Sequence, residues 1–505
     1  MSEKLTPEPA KLEEPAPVSG DKLPRSTVVV LSILLFTAFV MLLNETTLAI
    51  ALPAMMSDYN ITAATAQWLL TGFMLTLAVV MPTTGWMLDR FTTRSTFIFA
   101  IAAFLIGTVI AALAPSFGIL LAARVSQAIG TAIVMPLLMT VAMTLIPFHR
   151  RGTIMGLISV VMAVGPALGP SLAGAILSFT SWRGIFWFMV PLVALAGIIG
   201  AAKLTNISEQ RDSPLDVLSV ILSAIAFGGL VYSVSSIGII IDGGTPARIA
   251  LILLVAGIIS LALFVWRQIA LGKHDRALLN LRPLVVRNYT ISLAVLIVLF
   301  GALLGTVNTL PLYLQGSLLV TALIAGLVLL PGGLLEGVLS PFFGRLYDRF
   351  GPRPLIIPAM ALVTGSIFWL ATVNEHTGVW LTVTIHVIFS IGLAGLFSPL
   401  MTTALSSLPS DLFGHGSAIL NTLQQLAGAA GTAVMITIYS NVSAESQALG
   451  ASQTTALADG ASSAFLATGF LSAVALVLSL FIKKIPYEPT GLGAQQGPKT
   501  DVASE

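Results

Sequence analysis

The sequence predicts an all-α polytopic membrane protein with about fourteen transmembrane helices, and three observations lead to this fold class. The chain is 56% hydrophobic and 9% charged, whereas soluble domains average roughly 45 to 50% and 25%. Apolar runs long enough to cross a bilayer recur along the whole chain. One short motif, P-x-x-G-x-x-x-D-R-F, occurs twice, at residues 82–91 and 341–350.

Fourteen apolar runs have the length of a membrane-spanning helix, which is about 17 to 25 residues. They are predicted near residues 28–53, 66–88, 95–114, 118–146, 153–178, 185–203, 215–236, 248–267, 289–313, 319–343, 354–373, 378–404, 416–440 and 462–482.

The basic residues predict how the chain is oriented in the membrane. With a cytoplasmic N-terminus, about 21 of the 24 Lys and Arg residues fall on the cytoplasmic side, as the positive-inside rule favours. An even number of spans then places both termini in the cytoplasm. We expect a multi-pass membrane protein.

The repeated motif also predicts the domains, because it follows the second and the tenth span. A six-helix repeat gives a first bundle at 27–203 and a second at 289–484, with two inserted helices and their linkers at 204–288. Residues 1–26 and 485–505 are polar and are predicted to be disordered cytoplasmic tails. Because the first tail lacks the apolar core of a cleavable signal peptide, the first span is expected to be an uncleaved signal anchor.

Each copy of the motif places an acid beside a base, Asp89 with Arg90 and Asp348 with Arg349, in a predicted short loop after an apolar run. The glycine of the motif lets two backbones approach closely. A carboxylate there can pair with a base or with the positive N-terminus of another helix. We therefore expect a hinge between packed helices, the alternative being an ordinary polar cap on a span.

Two acids, one base and one histidine lie deep within predicted spans, where ionised groups are costly. Glu45 and Glu336 are candidates for reversible proton binding. The alternative for Glu45 is a permanent pair that fixes helix positions, and Glu336 alternatively belongs to the inner gate. Arg124 either holds Glu45 or another acid, or it bonds helix carbonyl groups and Gln127. His386 either handles protons or is a packed, hydrogen-bonded core residue.

Several stretches resemble the motifs of one transporter family. Residues 43–53 resemble the opening motif L-D-x-T-x-x-N-x-A-L-P, residues 124–130 a fourth-helix R-x-x-Q motif, and residues 156–174 a fifth-helix motif associated with antiport. Residues 182–191, Gln315 and residues 416–425 also fit. Together with the repeat, these stretches resemble the major facilitator superfamily, and the fourteen spans resemble its drug:proton antiporter branch.

The chain departs from that family's pattern at two places. Asn44 stands where the opening motif has Asp, and an acid follows one residue later at Glu45, which is about 100° further around a helix. Thr92-Thr93 replaces the Gly-Arg that usually follows the first copy of the motif, whereas the second copy keeps Gly351 and Arg353. The Asn-Glu pair favours the lincosamide-resistance members of the branch.

The resemblance implies a major facilitator fold and a set of site residues. Proton coupling is expected at Glu45, Glu336 and Arg124. Gating is expected at Asp89, Arg90, Arg94, Gly165, Pro166, Gly169, Pro170, Asp348, Arg349 and Arg353. The substrate pathway is expected between the bundles near the membrane midplane, at Asn44, Gln67, Trp68, Phe73, Gln127, Asn308, Gln315, Asn421 and Gln425. Such a lining suits bulky amphipathic compounds better than sugars or small polyanions.

Other functional classes lack their signatures. The sequence contains no G-x-x-x-x-G-K-[ST], H-E-x-x-H or G-x-S-x-G motif, so a nucleotide-driven pump or an enzyme is not expected. Cysteine is absent and the net charge is +2, which argues against disulfides, cysteine-based metal sites and a nucleic-acid partner. We expect no cofactor. The resemblance implies a proton-coupled multidrug antiporter of a bacterial-type plasma (inner) membrane, which exports amphipathic drugs or antibiotics by alternating access. Its expected partners are amphipathic substrates, protons and the lipid bilayer, without nucleotide or nucleic acid. The alternatives are export of an endogenous lipid or metabolite, and a non-transporting sensor or scaffold.

Overall fold

Helices make up the architecture of the computed structural model, which describes residues 23–206, 214–237, 240, 243–273 and 276–483. Within these ranges fourteen helices are long and apolar enough to cross a membrane, so the predicted fold class is confirmed. A helix satisfies its backbone N–H and C=O groups within its own segment, as an apolar solvent requires.

The membrane helices are numbered α1 to α14 in chain order. Their bounds are Arg25–Tyr59, Ala63–Arg90, Thr93–Leu113, Phe117–Leu145, Arg151–Leu177, Arg183–Lys203, Val217–Ser235, Gly244–Gly272, Arg287–Gly316, Ala322–Phe350, Arg353–Leu370, Val379–Ser406, Phe413–Ala448 and Gln453–Ser479.

Local sequence explains where several helices begin and end. Thr62, Thr92, Thr321 and Ser452 cap the N-termini of α2, α3, α10 and α14, because each side chain accepts a hydrogen bond from the backbone N–H three residues later. Gly351 follows α10 with φ of 78°, a conformation that favours glycine and stops the helix.

Two predicted boundaries differ from the structure. The acids and bases of the repeated motif lie in the last turns of α2 and α10 and not in loops, because residues 86–90 and 345–350, which follow the motif glycines, contain no proline or glycine. The predicted connection at 441–461 shrinks to four residues, 449–452, between α13 and α14. That stretch is rich in Ala, Ser and Gln, which a helix accommodates although a hydropathy pattern does not register them.

The helices pack as two groups that meet along one face. Helices α1 to α6 contact one another, and so do α9 to α14. The groups meet where α2, α4 and α5 contact α10, α12 and α13. Helix α7 contacts both α2 and α13, and α8 packs against α7. The inserted pair therefore lies against the junction of the two groups, while the predicted domain boundaries stay a prediction.

Candidate functional site: the junction between the helix groups

Helices α5 and α10 touch backbone to backbone at the end of the bundle that carries Asp89 and Asp348, here called the motif end. A Cβ atom added to Gly152 would lie 2.5 Å from the carbonyl oxygen of Gly344. One added to Gly156 would lie 2.7 Å from a backbone oxygen of α10. Real Cβ atoms do not approach so closely, so glycine at these positions allows the two helices to close.

The same two helices separate towards their other ends. A Cβ atom added to Gly333 would lie 3.4 Å from the Cβ of Ala167, an ordinary van der Waals contact. Gly174 lies seven residues after Ala167 and Gly326 seven before Gly333, which keeps them on the same helix faces. A Cβ atom at either glycine would meet no described residue within 4 Å. The helix pair is closed at the motif end and open at the opposite end.

Asp348 joins α10 to α5 at the motif end. Its Oδ1 accepts a hydrogen bond from the N–H of Gly152 at 2.7 Å. Its Oδ2 accepts from the N–H and the hydroxyl of Thr153 at 2.8 and 2.6 Å. These donors belong to the first turn of α5, where backbone N–H groups lack helical partners and the macrodipole favours an anion.

Asp89 makes a different contact, with a residue that sequence reasoning missed. Its Oδ2 lies 3.0 Å from Nε2 of the buried His415 in α13. The imidazole packs on Gly85, where an added Cβ would lie 2.5 Å from Nδ1. The sequence held one signal for this pairing, since His415 is the third residue of α13 as Thr153 is the third residue of α5.

Arg151 is a second junction residue that sequence reasoning missed. Its guanidinium donates to Ser406 Oγ of α12 at 3.4 Å and to the carbonyl oxygen of Met143 in α4 at 2.9 Å. The same group lies 5.3 Å from the ring centroid of Phe413 in α13. A base beside a membrane boundary has many ordinary roles, so its identity alone gave no sign of this contact.

A buried polar network surrounds Arg124 inside the first group of helices. Its Nη1 donates to Asn44 Oδ1 at 3.0 Å and to Gln127 Oε1 at 2.8 Å. Gln127 in turn donates to Thr108 Oγ1 at 2.9 Å. Nη2 of Arg124 is buried and has no hydrogen-bond partner within the described part of the chain. Of the two predicted arrangements for Arg124, the structure contains the one that includes Gln127.

Glu45 lies beside this network without joining it. The side chain is partly exposed. Among the described residues, no hydrogen bond or ion pair engages its carboxyl group, although Arg124 is near enough to attract it electrostatically. Asn44, one residue earlier, lies next to the guanidinium of Arg124. A neutral amide therefore faces the buried charge, and the adjacent acid is left without a bonded partner.

The fifth-helix motif packs α5 against α1 next to Glu45. A Cβ atom added to Gly165 would lie 3.1 Å from the Cβ of Leu42, and Gly169 faces Thr46 in the same way. The helix runs without interruption from residue 151 to 177 through Pro166. The motif thus brings α5 within one turn of the acid.

Glu336 and His386 are buried on the neighbouring helices α10 and α12. The imidazole packs on Gly332, one turn before Glu336, where an added Cβ would lie 2.9 Å from Nε2. Nδ1 of His386 has no hydrogen-bond partner among the described residues. The second acid and the histidine therefore belong to one helix pair in the second group.

The predicted pathway residues include a buried set. Phe73 lies beneath the guanidinium of Arg124, 4.1 Å from its carbon to the ring centroid, so it faces the network and not an open space. Asn421 donates to the carbonyl oxygen of Ser417 at 2.8 Å. Asn44 and Gln127 are engaged with Arg124 as described above.

The other pathway residues are at least partly exposed. Trp68 is 41% exposed and stacks on Tyr232 of α7 with ring centroids 6.0 Å apart. Asn308 and Gln315 are exposed and donate to carbonyl groups of their own helix. Gln425 is partly exposed. The side chains of Gln67 and Pro170 lie outside the described residues.

The predicted gating bases differ from the acids in what they contact. Arg94 and Arg349 are exposed, and the guanidinium of Arg349 lies 5.2 Å from the ring of the adjacent Phe350. Arg353 donates to the carbonyl oxygen of residue 482, just after α14 in its own helix group. Arg90 is the last residue of α2. The acids Asp89 and Asp348 are thus the motif residues that reach across the junction by hydrogen bonds described here.

Three comparisons agree with this architecture. Residues 34–432 match the family model described as Major Facilitator Superfamily. The lincomycin resistance protein LmrB of Listeria monocytogenes is 38% identical over 89% of this chain and 95% of that protein. LmrB of Bacillus subtilis is 39% identical over 80% and 84%. A structure of the proton:xylose symporter XylE covers 92% of this chain and 97% of its own with a TM-score of 0.62 at 13% identity, which is a likeness of fold.

Proposed function

The chain belongs to the Major Facilitator Superfamily and is a multi-span membrane transporter and not an enzyme, and on this premise we propose that it exports bulky amphipathic drugs in exchange for protons. The plasma membrane of a bacterium is the proposed location. The mechanism is alternating access, in which one central site opens to either side of the membrane in turn.

The distribution of basic residues indicates how the proposed transporter is oriented in the membrane. It supports a cytoplasmic motif end, and in that orientation a structure closed at the motif end and open at the other is the outward-facing state of our proposal. Asp348, Asp89, His415 and Arg151 act in this proposal as the cytoplasmic gate, because each forms a contact across the junction. Opening to the cytoplasm requires these contacts to break.

The arrangement of Glu45 and Arg124 carries the proton-coupling part of the proposal. A carboxyl group in an apolar site favours its neutral form unless a cation approaches it. Glu45 has no bonded partner among the described residues, and Arg124 keeps a buried, unpartnered Nη2 close by. In our proposal Glu45 binds a proton from the outside, and after its release into the cytoplasm the carboxylate is stabilised by Arg124 or by a cationic substrate.

Two features support amphipathic drugs as the cargo. The relatives at 38 and 39% identity are named for lincomycin resistance. The predicted pathway side chains carry no net charge and include the partly exposed aromatic ring of Trp68, which suits a compound with both polar and apolar faces.

Transport in liposomes tests the proposal. Purified protein is reconstituted, a pH gradient is imposed, and uptake of lincomycin and of cationic dyes is followed for the wild type and for Glu45→Gln. We expect the wild type to accumulate a compound against its gradient. Glu45→Gln should reduce gradient-driven accumulation at least about tenfold, since a neutral amide cannot carry a proton.

Glu445→Gln is the matched control, because Glu445 is exposed near the end of α13 and should leave accumulation unchanged. Binding of the compound to Glu45→Gln, measured separately, shows that the variant is folded. Equal transport by Glu45→Gln refutes the assignment of Glu45 and makes Glu336 the next acid to test. If the wild type moves no compound in the panel, drug export is the wrong cargo, and lipid or metabolite export replaces it.

A further inference from the structure

The two copies of the repeated motif close the junction with different chemistry. Asp348 accepts backbone N–H groups and a hydroxyl at the start of α5. Asp89 meets the imidazole of His415 at the equivalent place in α13, with 3.0 Å between Oδ2 and Nε2. A backbone N–H has a fixed donor role, whereas an imidazole nitrogen donates in one tautomer and accepts in the other. The Asp89 contact therefore depends on which nitrogen of His415 carries the proton.

The other nitrogen of His415 is engaged by the segment that returns from α8 to α9. The backbone N–H of Asn280 lies 3.3 Å from Nδ1. Because a backbone N–H is always a donor, Nδ1 must accept with its lone pair. The proton of the neutral ring is then on Nε2, which donates it to the carboxylate of Asp89. The contact with Asn280 is therefore compatible with the tautomer in which Nε2 donates to Asp89.

The returning segment, residues 276–281, is here called the return linker, and it is anchored to the inserted helices. Gln268, near the end of α8, accepts a hydrogen bond from the N–H of Leu279 at 3.1 Å and donates to Ser219 Oγ of α7 at 2.6 Å. Ser219 donates to Asp216 at 2.5 Å, and Arg267 binds the same carboxylate through two nitrogens at 2.7 and 2.9 Å. One chain of hydrogen bonds therefore connects the inserted pair to the linker beside His415.

Packing connects the inserted pair to the same gate. Gly228 of α7 faces Leu75 and Val79 of α2, which an added Cβ would approach to 3.6 and 3.5 Å. Helix α7 also contacts α13. The inserted pair thus rests on both helices, α2 and α13, that carry the Asp89 and His415 side chains.

We propose that the return linker is a working part of the gate, in which the backbone of Asn280 positions His415 for Asp89 and Gln268 holds the linker in place. The inserted helices then stabilise the closed motif end and are not a peripheral addition. This inference rests on the alternating-access part of the proposed function but not on proton coupling or on the identity of the cargo.

Nitrogen-15 NMR of histidine-labelled protein reads the tautomer directly. The chain has five histidines, and His415→Gln identifies the His415 signals by their loss. We expect wild-type His415 to show an unprotonated Nδ1 and a protonated Nε2. A wild-type signal with the proton on Nδ1 would overturn the proposal, whatever the variants do.

Gln268→Leu tests the linker without altering His415 or Asp89. It should produce a mixture of His415 tautomers, because the Leu279 N–H loses its acceptor and the linker is released. Spin labels at Arg94→Cys and Ser410→Cys, both exposed at the motif end on opposite helix groups, should report a rise of about three- to tenfold in the open population, as expected for the loss of one or two neutral hydrogen bonds.

Gln447→Leu is the matched control, since Gln447 is exposed near the end of α13 opposite to His415. It should change neither the tautomer nor the label distances. If Gln268→Leu is folded and likewise leaves both unchanged, the linker does not position the gate. Neither measurement needs a substrate or a gradient, so a failure of drug export would leave these results intact, and their failure would leave export untouched.

Discussion

Replacing Asp348 by Asn, which exchanges one carboxylate oxygen for an NH₂ group, should open the motif end. The wild-type carboxylate accepts three hydrogen bonds from Gly152 and Thr153 across the junction, at 2.7, 2.8 and 2.6 Å. Asparagine has one acceptor oxygen, and its NH₂ group would face backbone N–H donors. The variant also loses the negative charge that the N-terminus of α5 favours.

The size of the effect follows from those contacts. A hydrogen bond to a charged group contributes about 1.5 to 3 kcal/mol. With its oxygen at the Oδ2 position, asparagine keeps the two Thr153 bonds in neutral form and loses the Gly152 bond. Together with the lost charge at the helix N-terminus, and allowing for partial exposure, the variant loses about 2 to 3 kcal/mol. A tenfold change in an equilibrium corresponds to about 1.4 kcal/mol. The ratio of closed to open molecules should therefore fall about 30- to 150-fold, so an open state of about 1% would rise to a quarter or more.

The assay is double electron–electron resonance, which measures the distance between spin labels attached at Arg94→Cys and Ser410→Cys. The absence of native cysteine means that these two labels react alone. Asp348→Asn should add a long-distance population that the wild type lacks. Arg345→Gln is the control, since Arg345 is exposed on the same helix and has no predicted role in the gate. Distance distributions that are the same in Asp348→Asn and the wild type would refute this account of the gate.

Two further changes test the first helix group. Arg124→Lys should reduce the free energy of unfolding by about 1 to 3 kcal/mol and so lower the melting temperature by several degrees. The reason is that an ammonium group does not reproduce the planar contact of the guanidinium to Asn44 and Gln127. An unchanged melting curve in detergent would contradict this. Asp58, at the end of α1 beyond the apolar span, has a pKa below its ordinary value of 3.8, first because Arg183 donates to it. Because the pKa of Asp58 is lower in the folded state, the stabilisation it provides is present above pH 3.8 and is lost as the pH falls through the folded-state pKa. Asp58→Asn should therefore lower the melting temperature at pH 7 and match the wild type at the lowest pH. The same difference in melting temperature at the two pH values would refute this prediction.

The number of helices could be predicted because the requirement behind it is local. Each span must be apolar and must satisfy its own backbone, and both properties are visible in a run of twenty or so residues. The start of α14 was placed too late for the same reason. Its first turns, from Gln453, are polar enough to look like a loop, while the cap at Ser452 and the residues that follow are compatible with a helix.

The contacts across the junction could be predicted in part. The repeat indicated that Asp89 and Asp348 matter, and the chemistry of a carboxylate suggested a helix N-terminus, which Asp348 occupies. The partner of Asp89 lies 326 residues away in the chain, and a pair so distant leaves no periodic or local pattern. Its tautomer depends in addition on a backbone N–H of Asn280, which any residue except proline provides.

The network at Arg124 shows a limit on predicting side-chain partners from the sequence. The sequence offered two partners for the guanidinium, and the choice between Asn44 and Glu45 depends on a rotation of about 100° around α1. Which of the two adjacent side chains faces α4 follows from the packing of three helices together. A single-helix pattern of uniformly apolar residues does not contain that information, since it has no distinct polar face to fix the rotation.

The diverging ends of α5 and α10 have a consequence for how the closed and open regions of this helix pair are related. Gly174 and Gly326 lie seven residues beyond Ala167 and Gly333 and continue the same row of small residues whose members Gly152 and Gly344 are in contact. In the present state a methyl group at Gly174 or Gly326 would contact none of the described residues, since none lies within 4 Å of it. The row of small residues therefore extends beyond the present contact between α5 and α10. The separated ends of the two helices carry small residues just as the ends in contact do.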